Sequence, residues 1–384
     1  MLHFARTDSN LARAGVDMES TDTATQQRQF PCRQCGAKLE FAPGTTALKC
    51  PYCGAENQID LPAAPVVERD FLAELRRLAD SAPGVETLTV KCTACGAEST
   101  LGENTTAGLC AFCGSSIVAT ASSRKLIKPH CLLPFYITRD QGMDRFRGWA
   151  RSRWFAPNDL AKFAESQGLK GIYLPCWTYD SETESYYTGQ RGDDYWETET
   201  YTTTENGKTV TRTRQVRKTR WTFVSGHVQN SFDDVLVIAS ESLPRKYVER
   251  LEPWDLKNFV SYSDEYLAGF AAESYHVELD QGFERAKQIM DGPIRQSICR
   301  DIGGDHQRIS TVDTSYYDIT FKHGLLPVWI SAYRYRDRVF RFLVNARTGE
   351  VQGERPYSVI KIILFVLMII AILVIVLIAA NKGG

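Results

Sequence analysis

The chain contains eight cysteines in four Cys-x-x-Cys pairs, arranged as two sets of identical spacing. In each set fourteen residues separate one pair from the next, and the second set begins 60 positions after the first. The first cysteine set is Cys32, Cys35, Cys50 and Cys53, and the second cysteine set is Cys92, Cys95, Cys110 and Cys113. Four thiolates in two short pairs match the ligands of a tetrahedral zinc ion, with Zn–S distances of about 2.3 Å. We therefore predict two structural Zn²⁺ sites, each closed by four sulfurs and without an open position for catalysis.

Each cysteine set lies in a short segment, residues 30–60 for the first and residues 87–120 for the second. Segments of this size cannot bury a useful apolar core, whereas structural zinc contributes about 10–16 kcal/mol of apparent binding energy that becomes folding energy. Glycine follows the second cysteine of every pair, which lets the chain turn so that its amides face the sulfurs. We predict two zinc ribbons.

An apolar run near the carboxyl end predicts a membrane-spanning helix over residues 359–380. Ile362 to Ala380 are 19 consecutive apolar residues without a charge. At 1.5 Å per residue they span about 28 Å, close to the roughly 30 Å of a bilayer core. Lys361 and Lys382 flank the run and are expected to extend toward headgroups.

The charges around this run predict its orientation. Arg347, Arg355 and Lys361 precede it, whereas Lys382 follows it, and positively charged flanks stay in the cytoplasm. Residues 1–30 contain no apolar stretch of signal-peptide length. We therefore expect a single-pass, tail-anchored protein of the inner (cytoplasmic) membrane with its N-terminal bulk in the cytoplasm. In that reducing compartment, paired cysteines bind metal rather than form disulfides.

The rest of the chain predicts an α+β fold. Residues 1–29 are polar and expected to be disordered, and residues 61–86 form a linker with a short helix from Phe71 to Ala79. Residues 130–356 form a mixed α+β domain. Its helical patterns lie at 143–150, 159–166, 253–259, 264–272 and 283–290, the last ending at Gly292-Pro293, and its strand patterns at 171–180, 186–189, 195–205, 208–224, 316–321, 325–335 and 339–345. The predicted fold class is thus α+β, with two four-cysteine zinc ribbons, a long β-hairpin and one C-terminal transmembrane helix.

The long hairpin is predicted from Asn206-Gly207, a strong signal for a two-residue turn. Such a turn places Glu199 opposite Arg214 and Trp196 opposite Arg217. The second arm is basic and is a candidate surface for nucleic acid or a protein partner; its residues are Arg212, Arg214, Arg217, Lys218 and Arg220. Because the first arm is acidic and the net charge is −1, nucleic-acid binding is not the favoured interpretation.

The sequence contains no recognised catalytic motif. It lacks a phosphate-binding loop of the G-x4-G-K-[ST] type and the His-Glu-x-x-His and Gly-x-Ser-x-Gly patterns. The cysteines outside the two sets are possible nucleophiles and the histidines possible bases, namely Cys131, Cys176, Cys299, His130, His227, His276, His306 and His323. No spacing pairs them, and a free cysteine usually packs as a small apolar residue. We predict no catalytic residues and no enzyme.

The cysteine motifs are followed by Gly171-Ile-Tyr-Leu-Pro-Cys-Trp-Thr-Tyr-Asp180 and by Tyr186-Tyr-Thr-Gly189. Together with the C-terminal apolar run, they resemble bacterial membrane proteins labelled as TFIIB-type zinc-ribbon proteins, over about residues 30–380. Such proteins are also often labelled as similar to the primosomal helicase, but the helicase motifs are missing here. Some members look like components of phage-shock-type envelope-stress modules. The resemblance therefore implies a peripheral membrane-remodelling protein as partner, and it implies no catalytic residues.

These features together predict a membrane scaffold or adaptor. Zinc stabilises the ribbons, the α+β domain docks partner proteins, and the C-terminal helix confines them to the cytoplasmic face of the membrane, which raises their effective concentration. The first alternative is a membrane-tethered nucleic-acid-binding protein. The second is an enzyme with an unrecognised site in residues 130–356.

Overall fold

The computed structural model describes most of the chain between residues 30 and 382. The described ranges are 30–59, 65–80, 87–91, 98–100, 107–109, 116–118, 122–124, 127–157, 160, 168–205, 208–335 and 338–382. The segment 1–29, all but one residue of the helix predicted at 159–166, the turn residues 206 and 207, and the second cysteine set lie outside these ranges.

The described elements are mostly strands. In chain order the strands are β1 (Glu40–Phe41), β2 (Ala47–Lys49), β3 (Glu56–Gln58), β4 (Arg69–Asp70), β5 (Thr87–Lys91), β6 (Glu98–Thr100), β7 (Ala107–Leu109), β8 (Ser116–Val118), β9 (Ser122–Arg124), β10 (Cys131–Leu132), β11 (Lys170–Glu205), β12 (Lys208–Ile238), β13 (Val260–Ser261), β14 (Ala271–Ala272), β15 (His306–Tyr335), β16 (Arg338–Asn345) and β17 (Val351–Gly353). The α-helices are α1 (Phe71–Asp80), α2 (Arg139–Arg151), α3 (Arg245–Val248), α4 (Leu279–Ile302) and α5 (Val359–Lys382). The α+β class is confirmed.

Three long strands form the centre of the fold, with β11 paired antiparallel to β12 on one side and to β15 on the other. The sheet continues through β10 and β13, while β4, β14, β16 and β17 pair along its margins. Successive residues at the start of β11 are buried on opposite faces: Tyr173 belongs to one apolar cluster and Leu174 to another. Layers therefore cover both faces of the sheet at this end.

Helix α4 covers one face of the long strands. Its buried residues recur every three or four positions, as required for a single apolar stripe: Leu279, Gly282, Phe283, Ala286, Met290, Ile294, Ile298 and Ile302. The predicted break at Gly292-Pro293 is wrong, because α4 continues through Pro293. Both residues of that pair lie on the exposed side of the helix, where the carbonyl that Pro293 leaves unbonded can be solvated by water. Burial of the stripe on either side outweighs the local cost.

The hairpin register agrees with the sequence. Glu199 pairs with Arg214, Trp196 pairs with Arg217, and Glu205 and Lys208 are the last pair before the turn. The long strand β15 pairs with β11 only as far as the Gly192–His306 pair. Beyond that point the hairpin is a two-stranded ribbon with mostly exposed residues.

The helices predicted at residues 253–259 and 264–272 are wrong. The structure has short 3-10 turns at Leu256–Asn258 and Asp264–Leu267, and β13 lies between them. Between the two ranges β13 pairs with β10, and the Tyr262 amide donates to the His130 carbonyl at 3.0 Å. At the end of the second range β14 pairs with β11, so sheet pairing limits the length of both helical turns. Tertiary pairing has overridden local helical spacing.

Helix α5 follows the last strand at the carboxyl end. Its first 18 residues, Val359–Val376, have a mean hydropathy of 3.5, and none of them is buried. By length and composition it is long and apolar enough to cross a membrane. The short helix predicted from Phe71 is confirmed as α1, and Phe71 is buried against Tyr179 and Phe283.

Close approach of α4 to β11 yields a stability prediction. A side chain at Gly282 would collide with the Tyr179 hydroxyl and come within 2.8 Å of the Trp177 ring. We expect Gly282→Ala to lower the free energy of unfolding by about 1–3 kcal/mol, because the packed rings must shift. Gly148→Ala on the exposed side of α2 has open space and is expected to stabilise by up to about 1 kcal/mol. Denaturant unfolding of both full-length variants checks this, and equal effects would contradict the packing.

Candidate metal centre

The structure brings the four sulfurs of the first cysteine set together. All four Sγ atoms lie within 4.8 Å of one another. The Cys32 and Cys53 sulfurs are 3.6 Å apart, and the Cys35 and Cys50 sulfurs are 3.5 Å apart. A tetrahedral ion with metal–sulfur bonds of about 2.3 Å needs sulfur separations of about 3.8 Å. The cluster therefore fits a tetrathiolate metal ion.

Two matching turns hold these sulfurs. In the first turn the Cys32 amide donates to the Ala37 carbonyl at 2.7 Å; in the second the Cys50 amide donates to the Ala55 carbonyl at 2.9 Å. The glycine within each turn has a positive φ, 74° at Gly36 and 75° at Gly54, a conformation that favours glycine. Strands β1, β2 and β3 form one small antiparallel sheet that brings the two turns together.

The electrostatics of the cluster favour a bound cation. The pKa of the Cys50 thiol is lowered to about 6, mainly because the Cys53 backbone amide donates a hydrogen bond to its sulfur. At Cys35 the Ala37 amide lowers the pKa, but the thiols of Cys50 and Cys53 outweigh it and raise the pKa to about 12. Neighbouring thiols cannot all ionise without a positive charge between them, and a divalent metal ion provides that charge.

The first cysteine set is not on an isolated module. The first cysteine set lies in residues 30–59, which we call the first ribbon. Apolar residues of the first ribbon belong to the same cluster as residues of β10, β11, β15 and β16. Phe41 lies 5.1 Å from the ring of Tyr266, and its amide donates to the Ala268 carbonyl at 2.9 Å. The Gly44 amide donates to the Phe135 carbonyl at 2.9 Å. The first ribbon therefore folds against the α+β domain.

The second cysteine set lies outside the described residues, so its predicted site stays a prediction. The described strands around it form two small antiparallel groups. Strand β5 pairs with β6 and β9, and β7 pairs with β8. This strand content agrees with the predicted ribbon at residues 87–120.

An acidic cluster that the sequence did not indicate lies beside β15. Oxygens of Glu68, Asp180 and Asp233 lie within 4.8 Å of one another. Lys322 already supplies a cation, since its Nζ lies 2.9 Å from Glu68 and 2.7 Å from Asp234. The pKa of Asp180 is raised to about 7, mainly because the carboxyl is partly buried and to a smaller extent because it forms a hydrogen bond with Glu68. Asp233 follows Asp180 by 53 positions and Lys322 follows Glu68 by 254 positions, so only the sheet register brings them together.

A buried polar group around Glu273 is also not indicated by the sequence. The Glu273 carboxylate is buried and accepts hydrogen bonds from the hydroxyls of Ser240, at 2.7 Å, and of Ser242. His276 Nδ1 lies 3.4 Å from the same carboxylate. The group joins the segment after β12 to the segment after β14. The spacing of its residues along the chain matches no known motif, so the sequence gives no signal for it.

The remaining cysteines and histidines do not form one site. Cys131 and Cys176 are fully buried, and burial raises the pKa of both thiols, to about 12 for Cys131. Cys299 lies on α4 and is partly buried. The exposed histidines contact separate partners, His227 stacking on Tyr186 and His306 lying 3.1 Å from Asp194.

The partly buried His130, which precedes β10, lies beside the buried His323 of β15. Burial lowers the pKa of His323 to about 3 and is the main cause that lowers the pKa of His130 to about 4. His323 Nδ1 lies 2.8 Å from the Ile127 carbonyl, and its amide donates to His130 Nδ1 at 3.3 Å. Both rings therefore stay neutral and serve packing at neutral pH.

The basic hairpin arm is largely neutralised within the molecule. Arg214 lies 3.2 Å from Glu199, and Lys218 lies within 2.9 Å of both Glu197 and Glu199. Arg217 Nε donates to Asp194 at 2.6 Å. Arg220 lies over the ring of Tyr195, and Arg212 is opposite Tyr201 in the register. The five candidate residues thus share one strand, and their charges face acidic or aromatic neighbours.

Comparison with known proteins identifies a distant relative. The chain is similar to the uncharacterized protein YdjG of Bacillus subtilis (strain 168), with 24% identity over 332 residues that cover 86% of this chain and 90% of that protein. No protein-family model matches the chain, and no solved structure matches it. The similarity thus spans most of both chains but assigns no activity. The resemblance to zinc-ribbon membrane proteins stays a prediction.

The cluster geometry predicts the effect of removing one ligand. We expect Cys32→Ser to lower the metal content of the full-length protein by one ion per chain, because three thiolates and a hydroxyl no longer form a closed tetrathiolate site. Since the first ribbon shares its apolar cluster with the α+β domain, the unfolding midpoint should fall as well. Elemental analysis and thermal unfolding measure both, with Cys299→Ser as the control outside the cluster. Unchanged metal content in Cys32→Ser would exclude this site.

The buried His323 predicts a pH dependence of stability. The folded-state pKa of His323 is below its ordinary value of 6.5. The contribution of the neutral His323 ring to the free energy of unfolding is therefore complete above about pH 6.5, and it is lost as the pH falls toward 3. The slope should reach about 1.4 kcal/mol per pH unit for each such histidine. We expect His323→Gln to flatten the decline of unfolding free energy between pH 7 and 5, whereas His227→Gln, at an exposed position, should leave it unchanged. Identical profiles for wild type and His323→Gln would contradict the assignment.

Proposed function

We propose that the protein is a tail-anchored membrane scaffold that docks partner proteins at the cytoplasmic membrane face. In this proposal α5 spans the inner membrane, and each cysteine set holds one structural Zn²⁺. The partner class expected from the family resemblance is a phage-shock-type peripheral membrane protein, and the proposed role of the scaffold is in envelope-stress response. No catalytic step is required.

The exposure of α5 is the single observation that carries the membrane assignment. A helix of a water-soluble protein buries an apolar stripe and exposes a polar face. Helix α5 instead has no buried residue in Val359–Val376 and no charge from Ile362 to Ala380. Leaving so large an apolar surface in water is unfavourable by about 25 cal/mol per Å², and a bilayer removes that cost.

The chemistry of the first cysteine set supports a structural role for the ion. Four sulfur ligands leave no position for water or substrate, and zinc is the usual ion in such closed sites. Its binding energy would stabilise the first ribbon and, through Phe41 and Leu48, its attachment to the α+β domain. Zinc here would hold a docking surface in shape.

The paired charges of the hairpin favour a protein partner over nucleic acid. A nucleic-acid-binding surface keeps its cations available for phosphates. Arg214, Arg217 and Lys218 instead lie in ion pairs with the opposite arm. A projecting ribbon with balanced charge and exposed Trp196 and Tyr201 is better suited to contact with proteins.

Membrane insertion is tested by placing charges in α5. We expect the double variant Leu367→Lys and Ile370→Lys to lose retention in membranes after alkaline carbonate washing, because each charge near the bilayer centre costs about 2.5–3.5 kcal/mol. The matched variant Leu367→Ile and Ile370→Leu should be retained like wild type. Release of the wild-type protein by carbonate would exclude α5 as a membrane anchor.

The partner class is tested by crosslinking in intact cells followed by purification from solubilised membranes. A phage-shock-type peripheral membrane protein is the expected product. Recovery of DNA or RNA instead, weakened by salt and by replacement of Arg212, Arg214 and Arg217, would support the nucleic-acid alternative. The wild-type protein without crosslinker is the control for material that binds after lysis.

A further inference from the structure

The loop after α2 is attached to the start of α5. The Ser358 amide donates to the Phe155 carbonyl at 2.8 Å, and Lys361 Nζ donates to the Ala156 carbonyl at 2.7 Å. The rings of Phe155 and Phe365 meet edge to face at 5.3 Å. These contacts join residues more than 200 positions apart and fix the loop beside the first turns of the helix.

The depth of this contact along α5 decides where the loop lies. Phe365 is three residues inside the uncharged run that starts at Ile362, which is about 4.5 Å along the helix axis at 1.5 Å per residue. Because side chains on a helix lean toward its amino end, a ring that packs on Phe365 lies close to the start of the apolar run. If that run occupies the hydrocarbon, Phe155 lies at the boundary between headgroups and acyl chains.

Lys361 contributes to the same arrangement. The sequence predicts that its ammonium extends toward headgroups, but the structure directs it to the Ala156 carbonyl. A carbonyl near the hydrocarbon needs a donor, because water is scarce there. This bond therefore satisfies a polar group of the loop at the depth where the cost of leaving it unbonded rises.

The side chains around the contact are typical of a membrane interface. Trp154 precedes Phe155 and is 73% exposed, and Tyr357 precedes Ser358 and is 60% exposed. Tryptophan and tyrosine are favoured at headgroup level, where one part of the ring is apolar and the other is wet. Arg355 lies over the Tyr357 ring at 5.5 Å, so its charge is at the same level.

We propose that residues 154–157 are a second membrane contact, a loop whose Trp154 and Phe155 insert into the headgroup region of the bilayer beside α5. The partner is a phospholipid surface. This inference rests on the proposed membrane anchor and adds to it, because an anchor alone does not require that any part of the α+β domain touches lipid.

The loop is rigidly connected to the domain. Two residues separate it from the end of α2, whose buried residues include Phe146, and the Phe146 ring stacks on Phe342 of β16 with ring centroids 3.6 Å apart. The amino end of α2 is fixed by a capping box between Thr138 and Gln141. A lipid contact at Trp154 would therefore hold the sheet in one orientation to the membrane plane, so that the same face is always presented to partners.

Fluorescence quenching in vesicles tests the loop directly. Full-length protein is inserted into phosphatidylcholine vesicles that carry a nitroxide near the headgroup or near the end of the acyl chain. The contribution of Trp154 is the difference between wild type and Trp154→Phe. We expect the headgroup-level nitroxide to quench this contribution about twofold more strongly than the deep one, as for a side chain inserted 5–10 Å into the interface.

Trp196 provides a matched control, because it is 68% exposed but lies on the projecting hairpin. The difference between wild type and Trp196→Phe should show no quenching by either nitroxide. A lipid with a photoreactive headgroup offers a measurement on the wild-type chain itself, and it should label the peptide of residues 152–157 and not that of residues 193–205. This second measurement covers the case in which a variant fails to fold.

The outcomes separate the loop from the anchor. If the wild-type protein resists carbonate washing but Trp154 is unquenched and residues 152–157 are unlabelled, the loop contact is excluded and the anchor stands. Quenching of Trp196 equal to that of Trp154 also excludes a specific loop contact. If the wild-type protein is released by carbonate, both proposals are excluded.

Discussion

Antiparallel pairing of β11 on both of its edges is the constraint on which the rest of the structure depends. One edge pairs with β12 and the other with β15, so backbone hydrogen bonds are satisfied on both sides at the centre of the domain. The first residues of the strand are buried on both faces. Helix α4 covers one face through Trp177 and Tyr179, whose polar atoms donate to the Val277 and Leu279 carbonyls at 2.9 and 2.7 Å.

The metal cluster and the apolar packing of the first ribbon support each other. Thiolate chemistry brings together two turns that are eighteen residues apart, and the strands between them present Phe41 and Leu48 to the domain. Neither part is sufficient alone, since a thirty-residue ribbon lacks a core and four close thiols repel one another when ionised. Metal binding and docking are therefore expected to be thermodynamically linked.

A protein held at a membrane acts through where its surfaces are presented. In the proposed scaffold, α5 limits the domain to the membrane surface, and the contact of Phe155 with Phe365 limits its rotation. The projecting hairpin then points in a fixed direction from the bilayer. Such an arrangement increases the local concentration of partners and selects their orientation without any catalytic group.

The sequence by itself determined the features that depend on local spacing. Cys32, Cys35, Cys50 and Cys53 identified their cluster because ligand pairs are set by chain separation, the hairpin register followed from a two-residue turn, and the uncharged run at the carboxyl end identified α5. Only the tertiary structure decided the rest. It placed Lys322 among carboxylates, carried α4 through Pro293, replaced the helices predicted near residues 253 and 264 with turns at the sheet margin, docked the first ribbon on the domain, and set Phe155 against Phe365. These features depend on pairing between distant segments, and neither composition nor periodicity encodes which distant residues will meet.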